Sequence, residues 1–539
     1  MSGEIVGIRP AGDRAILVEL SDLKEVLSLQ AQLQENPLDG QLDVVAAAQT
    51  VLLTADSAAA ARKLAAYVQT LDLTIVPETD GSLVTIETIY DGEDLDAVAK
   101  LTGLGREAVI AAHSGQIWTA AFGGFAPGFA YLVGENRRLA VPRKDSPRTA
   151  VPSGSVALAG EYSAVYPVET PGGWQLIGRT AAVMWNLDRP KPALVRPGNR
   201  VRFQLVRETI DVVGSRSAAP DPVPTDPAAG PTEAGLLIIA PGLQATIQDL
   251  GRPGYADLGV TGTGALDRGA LRRANRLAGN SAEVAAIEIL NGGLVIEALA
   301  DQVLAVTGAV VPLSISERDG GSRQVATETP FALLARETLA LAQPVSGLRS
   351  YLAVRGGFDI PEVLGSRSTD TMSGIGPAPL AAGTHLAVAE PSPHCIVGIP
   401  EAAPGQLPEV TEMRVVPGPR DDWFSAETLD QFFSQTWTVT PRSNRIGLRL
   451  DGEPLSRAKT EELASEGCVR GAVQLPPEGL PVLLLGDHPV TGGYPVIGVV
   501  VSADLDQAAQ LAPGSRIRFV SVAEAAPVAS RLVEGHLNA

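Results

Sequence analysis

The chain is poor in cysteine, histidine and aromatic residues. Its 539 residues include two cysteines, Cys395 and Cys468, and five histidines that are scattered without an H-x-x-x-H pair. Two cysteines this far apart give neither a disulfide framework nor a metal-type spacing. We therefore expect no bound metal and a reducing, cytoplasmic location. Because aromatic residues are only 4% of the chain, any local cluster of them is informative.

The sequence also lacks a long uncharged apolar run and a leader segment. No apolar run approaches the ~18 residues that a membrane span requires. The first residues, MSGEIVGIRPAGDR, lack the basic and apolar regions of a signal peptide. The net charge of −19 disfavours nucleic acid and anionic membranes as main partners. These absences predict a protein that binds neither nucleic acid nor membrane.

Several catalytic motifs are missing. The chain has no G-x-x-x-x-G-K-[ST] phosphate loop, no G-x-S-x-G nucleophile elbow, no amidase-type serine-lysine pattern and no AMKM-like segment for biotin. The glycine-rich segment GVTGTGALDRG at 259–269 lacks the dinucleotide-binding spacing. A familiar protein nucleophile and covalent biotin on this chain are therefore not expected. Any chemistry must depend on positioning and electrostatics.

Length and proline content divide the chain into modules. A chain of 539 residues exceeds what one hydrophobic core supports, and two proline-rich segments are typical of linkers. The expected organisation is an α/β module at 1–85, a β-rich module at 86–214, a linker at 215–235, a β-rich module at 236–390, a linker at 391–410, a β-rich module at 411–525 and a tail at 526–539.

Local patterns predict helices in the first half of the chain. SAAAARKLAAYVQTL is typical of a helix that begins after Ser57 as its N-cap. Two further short helices are expected at 94–103 and 105–113. The segments AILVEL and TVLLTA are typical of strands, so we expect helices and strands to combine in the N-terminal module.

An internal repeat relates the two halves. PGGWQLIGRT at 171–180 resembles TGGYPVIGVV at 491–500. The flanking segments GSVAL and PGNRVRF recur in the same order as GAVQL and PGSRIRF, at a nearly constant offset. The repeat predicts duplicated β-rich modules whose short strands alternate with glycine and proline turns. That spacing is typical of a closed or nearly closed barrel.

Three aromatic side chains surround a Pro-Gly turn in GGFAPGFAYL, residues 123–132. Pro127 and Gly128 suit neither a helix nor a central strand. The segment is either a hydrophobic turn that closes a barrel end or a loop whose Phe125, Phe129 and Tyr131 line a pocket for a small, flat ligand. The repeat favours the second interpretation, because both Gly-Gly-aromatic loops would then face one cleft.

These segments resemble a known pair of families. Through GGFAPGFAYL, VPRKDSPRTAVPSGSVALAG and PGGWQLIGRT, the first half is similar to the B-type component of 5-oxoprolinase, formerly called allophanate hydrolase subunit 1. Through QDLGRPGY, SYLAVRGGFDIPEVLGSRST, GPRDDWF, SNRIGLRLDG and the segment at 465–500, the second half resembles the companion C-type component, formerly allophanate hydrolase subunit 2. The pair is also similar to the carboxyltransferase domain of urea carboxylase and to a sporulation-kinase inhibitor with its antagonist.

The resemblance implies an α+β, mainly β fold, with duplicated cyclophilin-like β-barrel modules beside a small N-terminal α/β module. It implies a fusion of two usually separate subunits with a ligand pocket between them. The implied reaction is the ATP-dependent opening of 5-oxo-L-proline to L-glutamate. ATP is then a substrate, with or without Mg²⁺, and a separate 5-oxoprolinase partner subunit is expected. A homo-oligomer is compatible with the same sequence.

GDHPVTGGYP at 486–495 is the favoured catalytic segment. Asp487 and His488 follow the apolar strand PVLLLG, and a carboxylate beside an imidazole moves protons near neutral pH. We expect both side chains at an open barrel mouth, so Asp487→Asn should slow turnover and leave stability unchanged. The alternative is a solvated turn, and the family pattern commonly has another residue at position 488.

Further residues are predicted to bind substrate or nucleotide. Arginines suit carboxylates and phosphates, and glycine-rich backbone with a threonine hydroxyl supplies donors. Surface ion pairs and satisfied buried amides are the alternative interpretations of the same residues. The predicted set is Phe125, Pro127, Gly128, Phe129, Tyr131, Arg143, Gln175, Arg179, Arg442, Asn444, Arg445, Gln474, Thr491, Gly492, Gly493 and Tyr494.

Two other functions fit the same sequence. A carboxyltransferase-like component of a biotin-dependent urea or amide carboxylase would require a biotin-bearing partner. A regulatory protein that binds and inhibits a kinase would require an exposed apolar surface.

Overall fold

The computed structural model describes residues 5–74, 81–144, 146, 148–207, 235–459 and 461–522. The linker predicted at 215–235, apart from Gly235, and the tail predicted at 526–539 lie outside the described residues. Within the described ranges, no helix is both long and apolar enough to cross a membrane.

The N-terminal module is an antiparallel sheet covered by two helices. Asp22 and Ser57 are the N-caps, and their side chains accept from the backbone amides of Glu25 and Ala60. The cap predicted at Ser57 is therefore confirmed. The sheet order is β1-β2-β4-β3. The elements are β1 (Ile5–Pro10), β2 (Ala15–Leu20), α1 (Leu23–Glu35), β3 (Gln41–Ala46), β4 (Thr50–Ala55) and α2 (Ala58–Val68).

The first barrel is a seven-stranded sheet that curls until its edges almost meet. Its order is β12-β9-β10-β7-β6-β13-β5, and a bridge between Ile89 and Arg179 joins the two edges. The elements are β5 (Leu83–Thr88), α3 (Leu95–Thr102), α4 (Arg106–Ser114), β6 (Trp118–Gly124), β7 (Ala126–Val133), β8 (Arg148–Val151), β9 (Ser155–Ala159), β10 (Tyr162–Val165), β11 (Thr170–Gly172), β12 (Gln175–Arg179) and β13 (Arg200–Leu205).

The middle module consists of two sheets around one core. Alternating Leu, Ile and Val residues from both sheets form that core, as expected where each strand buries one face. The elements are β14 (Gly235–Pro241), β15 (Gln244–Gln248), α5 (Arg268–Ala278), β16 (Ala286–Leu290), β17 (Leu294–Ala298), β18 (Gln302–Val310), β19 (Leu313–Ser316), β20 (Ser322–Val325), β21 (Pro330–Leu333), β22 (Thr338–Leu341), β23 (Ser346–Val354) and β24 (His385–Ala387). The sheet orders are β20-β19-β22-β17-β14-β24 and β15-β16-β23-β18-β21.

The C-terminal module is a closed barrel. Its order is β25-β32-β29-β30-β27-β26-β33, and β33 pairs in parallel with β25 to close it. The elements are β25 (Val410–Pro417), α6 (Ala426–Ser434), β26 (Trp437–Val439), β27 (Gly447–Asp451), β28 (Glu466–Gly467), β29 (Ala472–Gln474), β30 (Val482–Leu484), β31 (Thr491–Gly492), β32 (Val496–Val500), α7 (Leu505–Ala508) and β33 (Arg516–Ser521).

The two barrels share one topology, so the predicted duplication is confirmed. In each, the last strand pairs in parallel with the first: β13 with β5, and β33 with β25. A matching tryptophan follows the helix that precedes each second strand. The indole of Trp118 donates to the carbonyl of His113 at 2.9 Å, and that of Trp437 donates to the carbonyl of Phe432 at 3.2 Å. The mainly β fold with a small α/β module is as expected.

The barrels have opposite charges at matching positions. The backbone amide of Asp94 donates to β12 at 2.9 Å, and that of Arg420 donates to β32 at 3.3 Å. Their partners also match, because Arg148 lies on β8, which pairs with β11, and Glu466 lies on β28, which pairs with β31. Asp94 and Arg148 lie 2.7 Å apart, and Arg420 donates to Glu466 at 2.9 Å. The ion pair is thus kept in both copies with its polarity reversed.

His113 is buried in the first barrel, and its contacts among the described residues are uncharged. Its ring nitrogens lie 2.7 Å from the Tyr90 hydroxyl and 2.8 Å from the Ser163 hydroxyl. The rings of Trp118 and Phe203 lie 4.9 and 4.4 Å from the imidazole centroid. Burial lowers the pKa of His113 from its ordinary 6.5 to about 3. The folded chain therefore holds a neutral imidazole.

His113→Gln should change how stability depends on pH. As pH falls below 6.5, the unfolded chain protonates His113 while the folded chain does not, so native stability is lost until about pH 3. This residue contributes roughly 1.4 kcal/mol per pH unit to that loss. Denaturant unfolding at several pH values between 7 and 4 should show a shallower decline in the variant. Parallel declines would contradict the assignment.

Candidate functional site at the junction of the two halves

The aromatic turn lies where the two halves of the chain meet. Phe125 has a φ of 62°, a left-handed conformation that costs energy for a residue with a side chain. Its amide donates to the Thr491 hydroxyl at 2.9 Å. A Cβ atom on Gly123 would lie only 2.2 Å from the carbonyl oxygen of Asp257. The turn is therefore a contact surface between the halves, and one of its glycines is required by that contact.

The aromatic side chains pack into a cluster. Phe129 and Tyr131 are buried, and their ring centroids lie 5.1 Å apart. Trp174, from the Gly-Gly-aromatic loop of the first half, lies 5.6 Å from each of them. Phe125 is half-buried beside Phe129, and Pro127 and Gly128 are buried. The expectation of an open aromatic wall is thus wrong for Phe129 and Tyr131, which belong to the core that the barrel shares with the N-terminal module.

The two repeated loops approach the same segment. The amide of Lys144 donates to the carbonyl of Gly173 at 2.8 Å. Arg143 pairs with Glu462 at 2.8 Å, and a Cβ atom on Gly493 would lie 3.7 Å from the same guanidinium. The residues predicted at 171–175 and 491–494 therefore come together around residues 143–144. The exposed ring of Tyr494 belongs to the same junction.

Other predicted binding residues have structural partners or lie elsewhere. Gln175 donates to the carbonyl of Pro142 at 3.1 Å, and Gln474 donates to the Cys468 sulfur at 3.3 Å. Exposed Arg179 pairs with Asp91 at 2.9 Å. Arg442 and Asn444 lie in an exposed turn, where the Asn444 side chain accepts the amide of Ile446 at 2.9 Å. The structure does not bring these last three residues to the junction.

Asp487 and Arg445 form the centre of a buried ionic network. Arg445 donates through Nε and Nη2 to the two carboxylate oxygens of Asp487 at 3.0 and 2.9 Å, and through Nη1 to Glu288. The hydroxyl of Thr263 and both the amide and hydroxyl of Thr371 complete the shell of Asp487. Asp487 is 0% exposed. The expectation that its side chain lies at an open barrel mouth is therefore wrong.

This network keeps both carboxylates ionised. Burial alone would raise the pKa of Asp487, but Arg445 and the two threonine hydroxyls hold it below its ordinary value. Burial opposes ionisation of Glu288 in the same way, and the charges of Arg445 and Arg349 hold its pKa below the ordinary value. Two anions and two cations thus satisfy one another in the interior. Asp487 is suited to position the loop that follows it.

Asp487→Asn should destabilise the protein, since it would leave Arg445 and its remaining partners imperfectly compensated in the interior. Breaking a buried ion pair costs about 3–5 kcal/mol. Asp451→Asn is the matched control, because Asp451 is exposed on β27 of the same barrel and should change stability by less than ~0.5 kcal/mol. Denaturant unfolding of both variants measures the difference. Equal stabilities would contradict a structural role for Asp487.

His488 connects this network to a cleft between modules. The ring is buried, and its Nδ1 lies 2.9 Å from the carbonyl oxygen of Pro489. Because a carbonyl accepts only, Nδ1 must hold the proton, and Nε2 remains an acceptor when the ring is neutral. Burial, with the nearby charge of Arg470, lowers the pKa of His488. The imidazole is therefore neutral near pH 7.

The cleft has a volume of about 340 Å³ and lies between the N-terminal module, the middle module and the C-terminal barrel. The turn at 11–15, the loop at 250–262, the start of α5 and the segments at 468–470 and 488–490 line it. Its charged lining includes Arg14, Arg268, Arg272 and Arg470, which the sequence analysis missed. One signal was available: Arg470 precedes the repeated GAVQL segment, whereas Ser153 occupies the matching position in the first half.

Two family models match the chain. The carboxyltransferase domain, subdomain C and D, matches residues 6–195, and the carboxyltransferase domain, subdomain A and B, matches residues 258–521. The chain belongs to the carboxyltransferase-domain family. The first match covers the α/β module with most of the first barrel, and the second covers most of the middle module with the closed barrel.

Similar proteins include separate components of one enzyme. The chain is 38% identical to the C-type component of 5-oxoprolinase from Escherichia coli over 290 residues, which are 53% of this chain and 90% of that protein. It is 43% identical to the B-type component of 5-oxoprolinase from Bacillus subtilis over 134 residues, which are 24% of this chain and 56% of that protein. The crystal structure of TTHA0988 is 33% identical, covers 94% of this chain and all of that one, and superposes with a TM-score of 0.82. The predicted resemblance to both components is confirmed.

The two halves should associate without the covalent link between them. Residues 1–214 and 235–539, produced as two chains, should purify together because contacts such as Phe125 with Thr491 join described segments of both halves. Gly123→Ala should weaken this association about tenfold or more, since the new methyl group meets the Asp257 carbonyl.

Gly105→Ala is the matched control for the association measurement. A Cβ atom on Gly105 would meet nothing within 4 Å, and its φ of −75° suits alanine. Independent elution of the two unaltered halves, or equal association of both variants, would contradict the contact surface described above.

Proposed function

We propose that this chain is a fused component of an ATP-dependent 5-oxoprolinase, which hydrolyses 5-oxo-L-proline to L-glutamate together with a partner subunit. The observation that supports the proposal is the presence, in one chain, of segments similar to the B-type and C-type components of 5-oxoprolinase. The direct contact of the two segments at the aromatic turn agrees with a single functional unit.

The reaction explains why such a protein needs no nucleophile of its own. Amide resonance makes a lactam stable, and transfer of a phosphoryl group from ATP to the lactam oxygen removes that resonance. Water then adds to the ring carbon, the carbon–nitrogen bond breaks, and the products are L-glutamate, ADP and phosphate. The buried thiol of Cys468, whose pKa is raised to about 12 by burial, remains protonated and unsuited to attack.

Within this proposal, His488 and Asp487 have different roles. The neutral imidazole of His488 lines the cleft and has one ring nitrogen available to accept a proton from water. Asp487 is a positioning residue, because it anchors the start of the loop through Arg445 and the two threonines. ATP, with any Mg²⁺ that accompanies it, is the proposed phosphoryl donor.

The proposal is tested by reconstitution with a 5-oxoprolinase partner subunit. The chain alone should release little or no L-glutamate, and the complex should release L-glutamate and ADP in equal amounts. His488→Gln should slow the complex by roughly tenfold to a hundredfold, the scale of a positioned acid or base. His394→Gln is the control, because His394 is exposed in the segment at 391–410.

Glutamate release by the chain alone at the rate of the complex would contradict the need for a partner. Absence of glutamate release from the complex would contradict the proposed reaction. The description of the family models favours one alternative, in which the chain transfers a carboxyl group from a biotin-bearing partner to urea or another amide. Carboxylation of urea by such a complex, without coupled glutamate release, would establish that alternative.

A further inference from the structure

We propose that the cleft between the three modules is a binding site for a small oxyanion, either a phosphate or a carboxylate group, held by Arg268 and Arg470. This inference goes beyond the proposed function, because it assigns a ligand chemistry to the cleft whichever reaction the assembled protein performs.

The first argument is that two buried donors have no partner. The Nε atoms of Arg268 and Arg470 are buried, and neither has a hydrogen-bond partner among the described residues. The terminal nitrogens of Arg470 are fixed by the carbonyls of Ala265, at 3.3 Å, and Leu266. Carbonyls orient this guanidinium but do not neutralise it. Buried polar groups are nearly always hydrogen-bonded, so unpaired guanidinium donors that line a cleft indicate a missing acceptor.

The second argument is that the acidic residues of the cleft are already engaged. Asp506 accepts the amides of residues 268 and 269, at the start of α5, at 2.9 and 3.0 Å. Asp43 accepts two amides of the turn at 254–256 at 2.8 and 3.1 Å. Asp13 accepts both the amide and the hydroxyl of Ser502 at 2.9 Å. These carboxylates bind backbone and hydroxyl donors, so the two arginines retain donors for an external anion.

The third argument is electrostatic. Arg14 and Arg272 line the same cleft from its exposed side. Burial, with the like charges of Arg470 and Arg272, lowers the pKa of Arg268 to about 9. Four arginines in one cleft repel one another, and a bound anion would relieve that repulsion. Such a concentration of positive charge is unexpected in a protein of net charge −19 unless it binds something.

Size and geometry define the class of ligand. A cleft of about 340 Å³ accommodates a small molecule. The guanidinium presents two N–H groups along one edge, a spacing that matches two oxygens of a phosphate or a carboxylate. A planar neutral ligand would leave the arginine charges uncompensated. The shared chemistry is thus an oxyanion, and the source of that oxyanion is decided by measurement.

Calorimetric titration of the full chain with inorganic phosphate and, separately, with L-glutamate tests the site at constant ionic strength. At least one probe should bind the unaltered chain, and Arg268→Met should weaken that binding by about tenfold or more. Arg276→Gln is the matched control, since Arg276 lies on the same helix and pairs with Glu401 at 2.8 Å outside the cleft. It should bind as the unaltered chain does.

The outcomes separate the two sources and the two proposals. Binding of phosphate alone identifies a phosphate site, binding of glutamate alone identifies a carboxylate site, and binding of neither overturns the inference. Unchanged affinity in Arg268→Met also overturns it. If Arg268→Met does not fold, Arg470→Lys replaces it, with the same weakening expected. The titration uses no partner subunit, so failure of the 5-oxoprolinase assay leaves this measurement unaffected.

Discussion

The guanidinium of Arg445 joins the middle module to the C-terminal barrel. It lies in the interior between Glu288 on β16 and Asp487 at the end of a barrel strand. Each charge there is tolerable only because the others are in place. The loop that includes His488, and through it one side of the cleft, takes its position from this arrangement. The barrel and the middle module therefore behave as one unit at the cleft.

The sequence predicted the parts of the fold that depend on local patterns. Strands bounded by glycine and proline, a serine before an alanine-rich helix, and a repeat in constant order are all visible along the chain. The two barrels and the cap at Ser57 followed from these signals. The aromatic turn was placed at the junction of the halves, but whether its rings pack or remain open depends on neighbours such as Trp174.

The site was harder to predict because its contacts join distant segments. The Asp487 carboxylate binds hydroxyls that are 224 and 116 residues away, and no local pattern distinguishes a buried carboxylate from an exposed one after a strand. The same is true of Arg470, whose carbonyl partners are 205 and 204 residues away. Sequence reasoning found the chemically capable loop. It missed the arginines that the fold gathers beside that loop.

The reversed polarity of the matching ion pairs bears on how two related modules recognise each other. Asp94 and Arg148 in one barrel correspond to Arg420 and Glu466 in the other. Modules with the same fold but opposite local charge are complementary, whereas two copies of either one would bring like charges together. Joining the two in one polypeptide fixes their ratio at one to one and makes their association intramolecular. A fused chain can therefore keep a small and partly polar contact that separately synthesised subunits would need high concentrations to maintain.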